Sequence, residues 1–227
     1  LIRPTDDEAA AVDGWIEAIK SGIGELVLRN PSRAAAVALR GSIVADEGRK
    51  LVAADMSNIE GRMLAWLAGE NWKLDAFAEY DAGIGPDLYK VTAGRILYKD
   101  PWSVSKDERQ VMGKVPELAL GFQGAAGAFG TMAALYGINL TEGEVQAIVD
   151  NWREANPAIV RFWYAMEEAA RAATQNPGHT FKAGEHIAFH RTGEWLLMQL
   201  PSGHKLCYCQ PALVPHPKWS GTSLSYL

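Results

Sequence analysis

The chain has 227 residues, a hydrophobic share of 48%, a charged share of 22% and a formal net charge of -5 at pH 7. This length can bury the core of one large domain or two small ones, and the composition is ordinary for a soluble globular protein. The acidic balance argues against a protein that coats nucleic acid, but not against an enzyme that binds it in a local groove. No apolar stretch approaches the length of a membrane span, and the start LIRPTDDE does not match a signal peptide.

The first part of the chain predicts one helix and one β-hairpin. Thr5 and Glu8 match a capping box, in which each side chain bonds the other's backbone, ahead of a helix over about residues 6–20. Two apolar segments farther along have the length and composition of paired strands, namely 42–45 and 50–54.

The run LVAADMSNIEGR at 51–62 leads from the second of these strands into a helix. Asp55 ends the strand, and Ser57 with Glu60 matches another capping box. A carboxylate at a strand end suits a hard cation, because Mg²⁺ takes oxygen ligands and keeps positions open for phosphates. The alternative is purely structural: Ser57 and Glu60 cap the helix, and Asp55 only ends the strand.

After Asp55 the hydrophobic pattern is helical almost to residue 178 and strand-like beyond it. We predict helices over 58–68, 71–80, 86–98, 105–121, 125–136, 142–154 and 158–174. We predict strands over 186–190, 194–200 and 205–210. The fold class is therefore α+β, with the helices segregated from an antiparallel sheet.

The segment RQVMGKVPELALGFQG at 109–124 is the second motif that could carry chemistry. On an α-helix its residues spaced by four share one face, which presents a cation, an apolar surface and an aromatic ring: Gln110, Lys114, Leu118 and Phe122. A triphosphate binds to a cation, and a base stacks on a flat ring. The alternative is an ordinary amphipathic helix with an exposed lysine.

Together these segments resemble the family A DNA polymerases, the relatives of bacterial DNA polymerase I. DMSNIEGR at 55–62 is similar to their motif A, and RQVMGKVPELALGFQG is similar to their motif B, the helix of the fingers subdomain. The segment DLYKVTAG at 87–94 also fits the family pattern between these two motifs. The residues in and around the motifs are most similar to the phage and prophage branch of the family. The resemblance implies a mostly helical fingers subdomain inserted after a palm β-hairpin. The implied domains are a partial palm (1–57), a fingers-like region (58–178) and a β-rich segment leading back toward the palm (179–227).

The resemblance also implies an activity, template-directed DNA synthesis from dNTP on a primer 3′-OH, with primer-template DNA as partner and two Mg²⁺ ions as cofactors. Asp55 matches the first metal-binding aspartate, and Met56 would lend its backbone carbonyl to a metal. Glu60 matches the steric-gate residue that crowds a 2′-hydroxyl and so selects deoxyribose. Lys114 matches the catalytic lysine that meets the triphosphate. The remaining substrate-binding positions implied are Arg109, Gln110, Leu118, Phe122 and, just before the hairpin, Arg40.

Two features depart from the motif B pattern. Arg109 and Lys114 differ by five positions where the family usually has four, which turns Arg109 about 100° away from Lys114 on a straight α-helix. Pro116 should cost roughly 3 kcal/mol within a helix and kink it just past Lys114. Either the helix begins irregularly or Arg109 does not carry the family role.

A second metal-binding aspartate is expected from motif C, but no Asp follows Asp150. We therefore expect a piece of a polymerase, fingers and part of the palm, that does not extend primers by itself although its parent protein does.

Elsewhere, His186 and His190 have no Cys or Asp beside them and are poor zinc ligands. Lys205 is a candidate for phosphate contact, or a solvated surface lysine. Cys207 and Cys209 are too close in sequence for an ordinary disulfide, which fits a reducing cytoplasm.

Three rival functions remain open. The first is a non-catalytic module that binds nucleotide or primer-template without chemistry. A single-subunit RNA polymerase is disfavoured because such enzymes lack a glutamate at the position of Glu60. The third is an unrelated helical protein, for which Asp55 would not lie across an open cleft from Lys114. Oligomeric state is not indicated by the sequence.

Overall fold

The structure is a computed structural model that describes residues 5–41, 43–216 and 220–227. The chain divides into two compact units, Leu1–Met56 and Ser57–Leu227. Within the described ranges, no helix combines the length and apolarity that a membrane crossing requires.

Over residues 5–41 and 43–56, the described part of the first unit, there are three helices: α1 (Asp6–Lys20), α2 (Gly24–Val27) and α3 (Pro31–Gly41). The predicted Thr5–Glu8 capping box is present at the start of α1. The sequence analysis missed α3, although Asn30 and Pro31 are a usual start signal and the Asn30 side chain accepts a hydrogen bond from the Arg33 N–H. Arg33 also pairs with Glu8 of α1, which joins the two helices.

The predicted β-hairpin of this unit is not formed. Its turn is present, since the Arg49 N–H donates to the Asp46 carbonyl and Gly48 has the positive φ of +74° that favours glycine. The flanking residues 43–45 and 50–54 do not form a strand ladder. Side chains such as Val52, which is 90% exposed, pack on nothing. An isolated two-stranded hairpin is marginally stable in water, so the strand pattern alone did not suffice.

The second unit begins with helices, and every helix predicted there is confirmed within a few residues. The α-helices are α4 (Ile59–Ala68), α5 (Asn71–Asp81), α6 (Leu88–Leu97), α7 (Lys106–Glu108), α8 (Val115–Leu120), α9 (Ala126–Leu135), α10 (Glu142–Ala155) and α11 (Pro157–Gln175). A 3₁₀ turn, Pro101–Ser103, precedes α7. A π-helical turn, Arg109–Lys114, joins α7 to α8 within the one predicted helix.

The unit ends in two antiparallel sheets, as the α+β prediction requires. The larger has the order β1 (Thr180–Ala183), β2 (Ile187–Thr192), β3 (Trp195–Gln199) and β4 (Lys205–Cys209), and the smaller pairs β5 (Ala212–Pro215) with β6 (Thr222–Ser225). One face of the larger sheet packs on α11, with Phe189 and Leu196 buried against Ala169 and Ala173. A second hydrophobic cluster, around Trp152 and Phe129, joins α8, α9, α10 and α11.

Candidate functional site

The two proposed metal ligands lie at the end of the first unit. Asp55 and Met56 are both exposed, and they follow residues 50–54, which form neither a helix nor a strand. A carboxylate and a backbone carbonyl are oxygen donors of the kind that Mg²⁺ prefers, so these residues fit the ion in chemistry. They are a partial set, because no group of three or more His, Cys, Asp or Glu residues suited to a metal occurs in the described ranges.

The predicted Ser57–Glu60 capping box is absent, and this corrects the sequence analysis. Helix α4 begins after Asn58, which is left-handed (φ 58°) and makes no side-chain cap bond. The carbonyl of Ser57 instead accepts a hydrogen bond from the Arg62 Nε–H at 2.9 Å. The Glu60 side chain is exposed.

Arg62 fixes the beginning of α4. Its guanidinium makes two 2.7 Å hydrogen bonds to Asp81 of α5 and lies 4.3 Å from the centre of the Phe77 ring. This fork geometry is specific to arginine. The pairing lowers the pKa of the Asp81 carboxyl, chiefly through the hydrogen bonds from Arg62. Since Arg62 also bonds Ser57, it orients the residues that lead to Glu60.

The five-residue spacing of Arg109 and Lys114 coincides with a π-helical turn. Within Arg109–Lys114 the backbone bonds to the fifth preceding carbonyl, and the Val115 N–H still donates to Gln110. A turn of this kind aligns residues that are five apart, whereas an α-turn aligns those four apart. The wider turn accommodates the extra residue, so Arg109 and Lys114 stand at the two ends of one π-turn.

The irregularity near Pro116 is the π-turn that immediately precedes α8. Pro116 is buried at the start of α8, and the residues around it keep right-handed helical angles. A proline ring in a regular α-helix clashes with the carbonyl four residues earlier. The wider turn that precedes Pro116 relieves that clash, so proline is tolerated here as at a helix start.

Arg109 is held by two residues of the segment DLYK. Its Nε–H donates to both oxygens of Asp87 at 3.0 Å, and its guanidinium lies 5.0 Å from the centre of the Tyr89 ring. Burial raises the pKa of the Tyr89 hydroxyl, with further contributions from charged neighbours. The same hydroxyl lies 3.4 Å from Oδ1 of Asn58, at the start of α4. Tyr89 thus links the helix that carries Glu60 to the helix that carries Arg109.

Lys114 faces a second tyrosine. Its Nζ lies 5.5 Å from the centre of the ring of Tyr136, at the end of α9, and the lysine is half-buried. Gln110 and Leu118 are also half-buried, whereas Phe122 is 71% exposed. An exposed aromatic ring can stack on a base, and a half-buried cation can meet a phosphate.

The sequence analysis missed the roles of Asp87, Tyr89 and Tyr136. In the sequence, the segment DLYKVTAG only fits between the two motifs, and Tyr136 belongs to no motif. The signal that could have found Asp87 was its place before an apolar helix, where an aspartate caps and also offers a carboxylate to a nearby arginine. Nothing in the local pattern around Tyr136 indicates that it approaches Lys114.

Four further residues singled out in the sequence show no hydrogen bond or ion pair with these side chains within the described ranges, or have side chains outside those ranges. Lys205 is exposed on β4, opposite Gln199 of β3. The side chain of Arg40, within α3, lies outside what the structure describes. Cys207 and Cys209 are both free thiols, as predicted.

No family model matches the chain. Among curated proteins, it is 37% identical over 190 residues to a DNA polymerase of Bacillus phage SP02, which covers 83% of this chain and 28% of that protein. It is 32% identical to DNA polymerase I of Chloroflexus aurantiacus, over 55% of this chain and 12% of that protein. DNA polymerase I of Pseudomonas aeruginosa is 31% identical, over 60% of this chain and 14% of its own length. The chain thus spans less than a third of each of these relatives.

Proposed function

Because the chain is a relative of the DNA polymerase I-like, or family A, DNA polymerases, we propose that it supplies the nucleotide-binding part of a DNA-directed DNA polymerase. The supporting observation is the pair of cations, Arg109 and Lys114, on one π-turn, each beside a tyrosine ring. We propose that they bind the phosphates of an incoming dNTP, and that Phe122 stacks near its base.

Lys114 would also donate the proton that the leaving pyrophosphate takes up. Leu118 and Gln110 would line the remainder of the nucleotide contact. Glu60, exposed at the start of α4, would crowd a 2′-hydroxyl and so favour dNTP over rNTP. Arg40 and Lys205 would contact phosphates of the primer or template backbone.

Asp55 and the Met56 carbonyl would hold Mg²⁺ with a second carboxylate. Bound Mg²⁺ would stabilise negative charge on the attacking and leaving oxygens of the phosphoryl transfer. Asp55 is the one carboxylate of that set that we assign in this chain. We therefore propose that the complete polymerase extends primers, whereas the chain alone binds nucleotide and primer-template without extending them.

Nucleotide titration tests this proposal directly. The chain should bind dATP with Mg²⁺, and Lys114→Ala or Arg109→Ala should weaken the affinity about tenfold or more, because each removes a charge-assisted bond to phosphate. Lys182→Ala, an exposed lysine of β1, is the control and should bind as the wild type does. Equal affinities for all four proteins would exclude the assigned phosphate site.

A primer-extension assay separates the two candidate functions. A binding module without chemistry, the second candidate, is favoured by the partial metal set described above. Binding of dATP and duplex without extension is the expected result for the isolated chain. Template-directed extension would show that the chain supplies the second metal ligand itself.

A further inference from the structure

One buried carboxylate joins α8 to three other helices. Glu117 Oε2 accepts a 2.8 Å hydrogen bond from Lys73 Nζ of α5. Its other oxygen accepts from the Thr92 hydroxyl of α6 at 2.9 Å and from the Trp152 indole N–H of α10 at 3.1 Å. We call Glu117, Lys73, Thr92 and Trp152 the Glu117 hub. Every donor comes from a different helix, so the hub fixes α8 from three sides.

The hub is costly to bury. The Lys73 side chain is fully buried and that of Glu117 is 5% exposed, and the Lys73 ammonium lies 4.9 Å from the centre of the Trp152 ring. Buried ion pairs are weak evidence for stability, because apolar residues of similar size often serve as well or better. An apolar pair would lack directional hydrogen bonds. The three hydrogen bonds to the two oxygens of Glu117 permit only one rotation of α8 about its own axis.

That rotation matters because a π-turn lies immediately before α8. A π-turn is a rare arrangement, and the same residues can relax into an α-turn by shifting each bond from the fifth to the fourth preceding carbonyl. Such a shift would rotate Arg109 relative to everything after Lys114. Within the turn itself, Gly113 lies so close to the Tyr89 carbonyl that an added Cβ would be 2.0 Å from the carbonyl oxygen. The turn is therefore held between two contacts.

We propose that Glu117 and its hub are positioning residues, which hold the Arg109–Lys114 π-turn in register and thereby keep the two cations aligned. This inference rests on the proposed function for its consequence in nucleotide binding. The register itself is a property of the backbone and can be measured without nucleotide. Neither Glu117 nor Lys73 belongs to the motif positions assigned above, and both side chains are too buried to meet a substrate.

The decisive variant replaces the charged pair by apolar side chains of similar size, Lys73→Met with Glu117→Met. Packing is preserved, so the variant should fold. Through-hydrogen-bond ¹⁵N–¹³C coupling reports the acceptor of the Val115 N–H, which is Gln110 in the π-register. We expect the variant to show coupling to Val111 as well, and to bind dATP with Mg²⁺ at least tenfold more weakly. The control replaces the ion pair on α11 in the same way, Arg171→Met with Glu167→Met, and should change neither readout.

A second variant covers the case in which the double variant does not fold. Thr92→Val with Trp152→Phe removes two bonds to Glu117 and keeps the ion pair, and it should produce the same changes to a smaller extent. Coupling to Gln110 alone in a folded hub variant would overturn the proposal, and so would unchanged dATP affinity despite a shifted register. If the wild type binds no dATP, the proposed function fails, while the coupling still decides whether the hub sets the register.

Discussion

The Nε–H of Arg109 donates to both carboxylate oxygens of Asp87 at 3.0 Å, and the two side chains are respectively 31% and 26% exposed. Asp87 is also the N-cap of α6, where its Oδ1 accepts from the Tyr89 N–H. One carboxylate thus serves a helix and an arginine, and it competes with any phosphate for that arginine.

Asp87→Asn separates these two roles. Asparagine caps a helix as well as aspartate does, so α6 should keep its stability. The variant removes the negative charge beside Arg109, and dATP should bind up to about fivefold more tightly, because a partly exposed ion pair is worth about 0–1 kcal/mol. Calorimetric titration at fixed ionic strength measures the change. Weaker binding would mean that Asp87 is needed to orient Arg109.

Gly113→Ala tests the close approach of the π-turn to α6. The new methyl group would meet the Tyr89 carbonyl at 2.0 Å, so backbone must shift. We expect a loss of about 3 kcal/mol or more in unfolding free energy, at the upper end of overpacking effects. Gly130→Ala in the middle of α9 is the matched control, because its Cβ meets nothing within 4 Å. There the helix propensity of alanine should add about 0.5–1 kcal/mol. Urea unfolding compares the two, and equal effects would contradict the close contact.

Arg62→Lys tests the link between α4, α5 and Ser57. Lysine keeps the charge but cannot bond Asp81 through two nitrogens while also reaching the Ser57 carbonyl. Amide hydrogen exchange should become faster at residues 57–60, with little change in β1–β4. Unchanged exchange at 57–60 would show that Arg62 is not what orders the segment before Glu60.

Acid should destabilise the fold through Glu108. The hydrogen bond from Lys99, followed by those from Ser105, lowers the pKa of this carboxyl from 4.5 to about 2. Because the folded pKa lies below the unfolded one, the stabilisation is complete above about pH 4.5 and is lost as the pH falls toward 2. Glu108→Gln keeps a capping-box residue at the third helical position and should flatten the fall in melting temperature over this interval.

Glu8 must be included in the same measurement. Its pKa is also lowered to about 2, chiefly by the Arg33 hydrogen bonds, so acid should act on the first unit as well. Glu8→Gln should therefore flatten the remaining slope. A wild-type melting temperature that stays constant from pH 5 to pH 2.5 would contradict both assignments.

Local signals predicted the helices well and the irregular parts poorly. The capping box at Thr5 predicted a helix start that the structure confirms, and the same pattern starts helices at Ser105 and Thr141, because there the cap bonds form within one turn. The box at Ser57 failed because Asn58 is left-handed (φ 58°) and α4 begins only after it. The Ser57 carbonyl accepts from Arg62, which Asp81 of another helix holds. No local pattern contains that contact.

The same distinction explains the candidate site. The spacing of Lys114, Leu118 and Phe122 could be read directly from the sequence. The π-turn could not, because it depends on Gly113 meeting Tyr89 and on Glu117 meeting three distant helices. Two features of the sequence accompany that irregular turn: Pro116 and the five-residue spacing of Arg109 and Lys114. Neither feature alone indicates a π-turn.

The unpaired segment after α3 has a consequence for handling the protein in solution. Ile43, Val44, Leu51 and Val52 are 60–90% exposed, and they belong to neither a helix nor a strand. Extended apolar segments of this kind pair edge to edge between molecules, and charged residues between them, here Asp46 to Lys50, slow that process. We expect colloidal stability to limit the usable concentration before unfolding does. Added salt, which screens the repulsion between chains of formal net charge -5, should promote self-association.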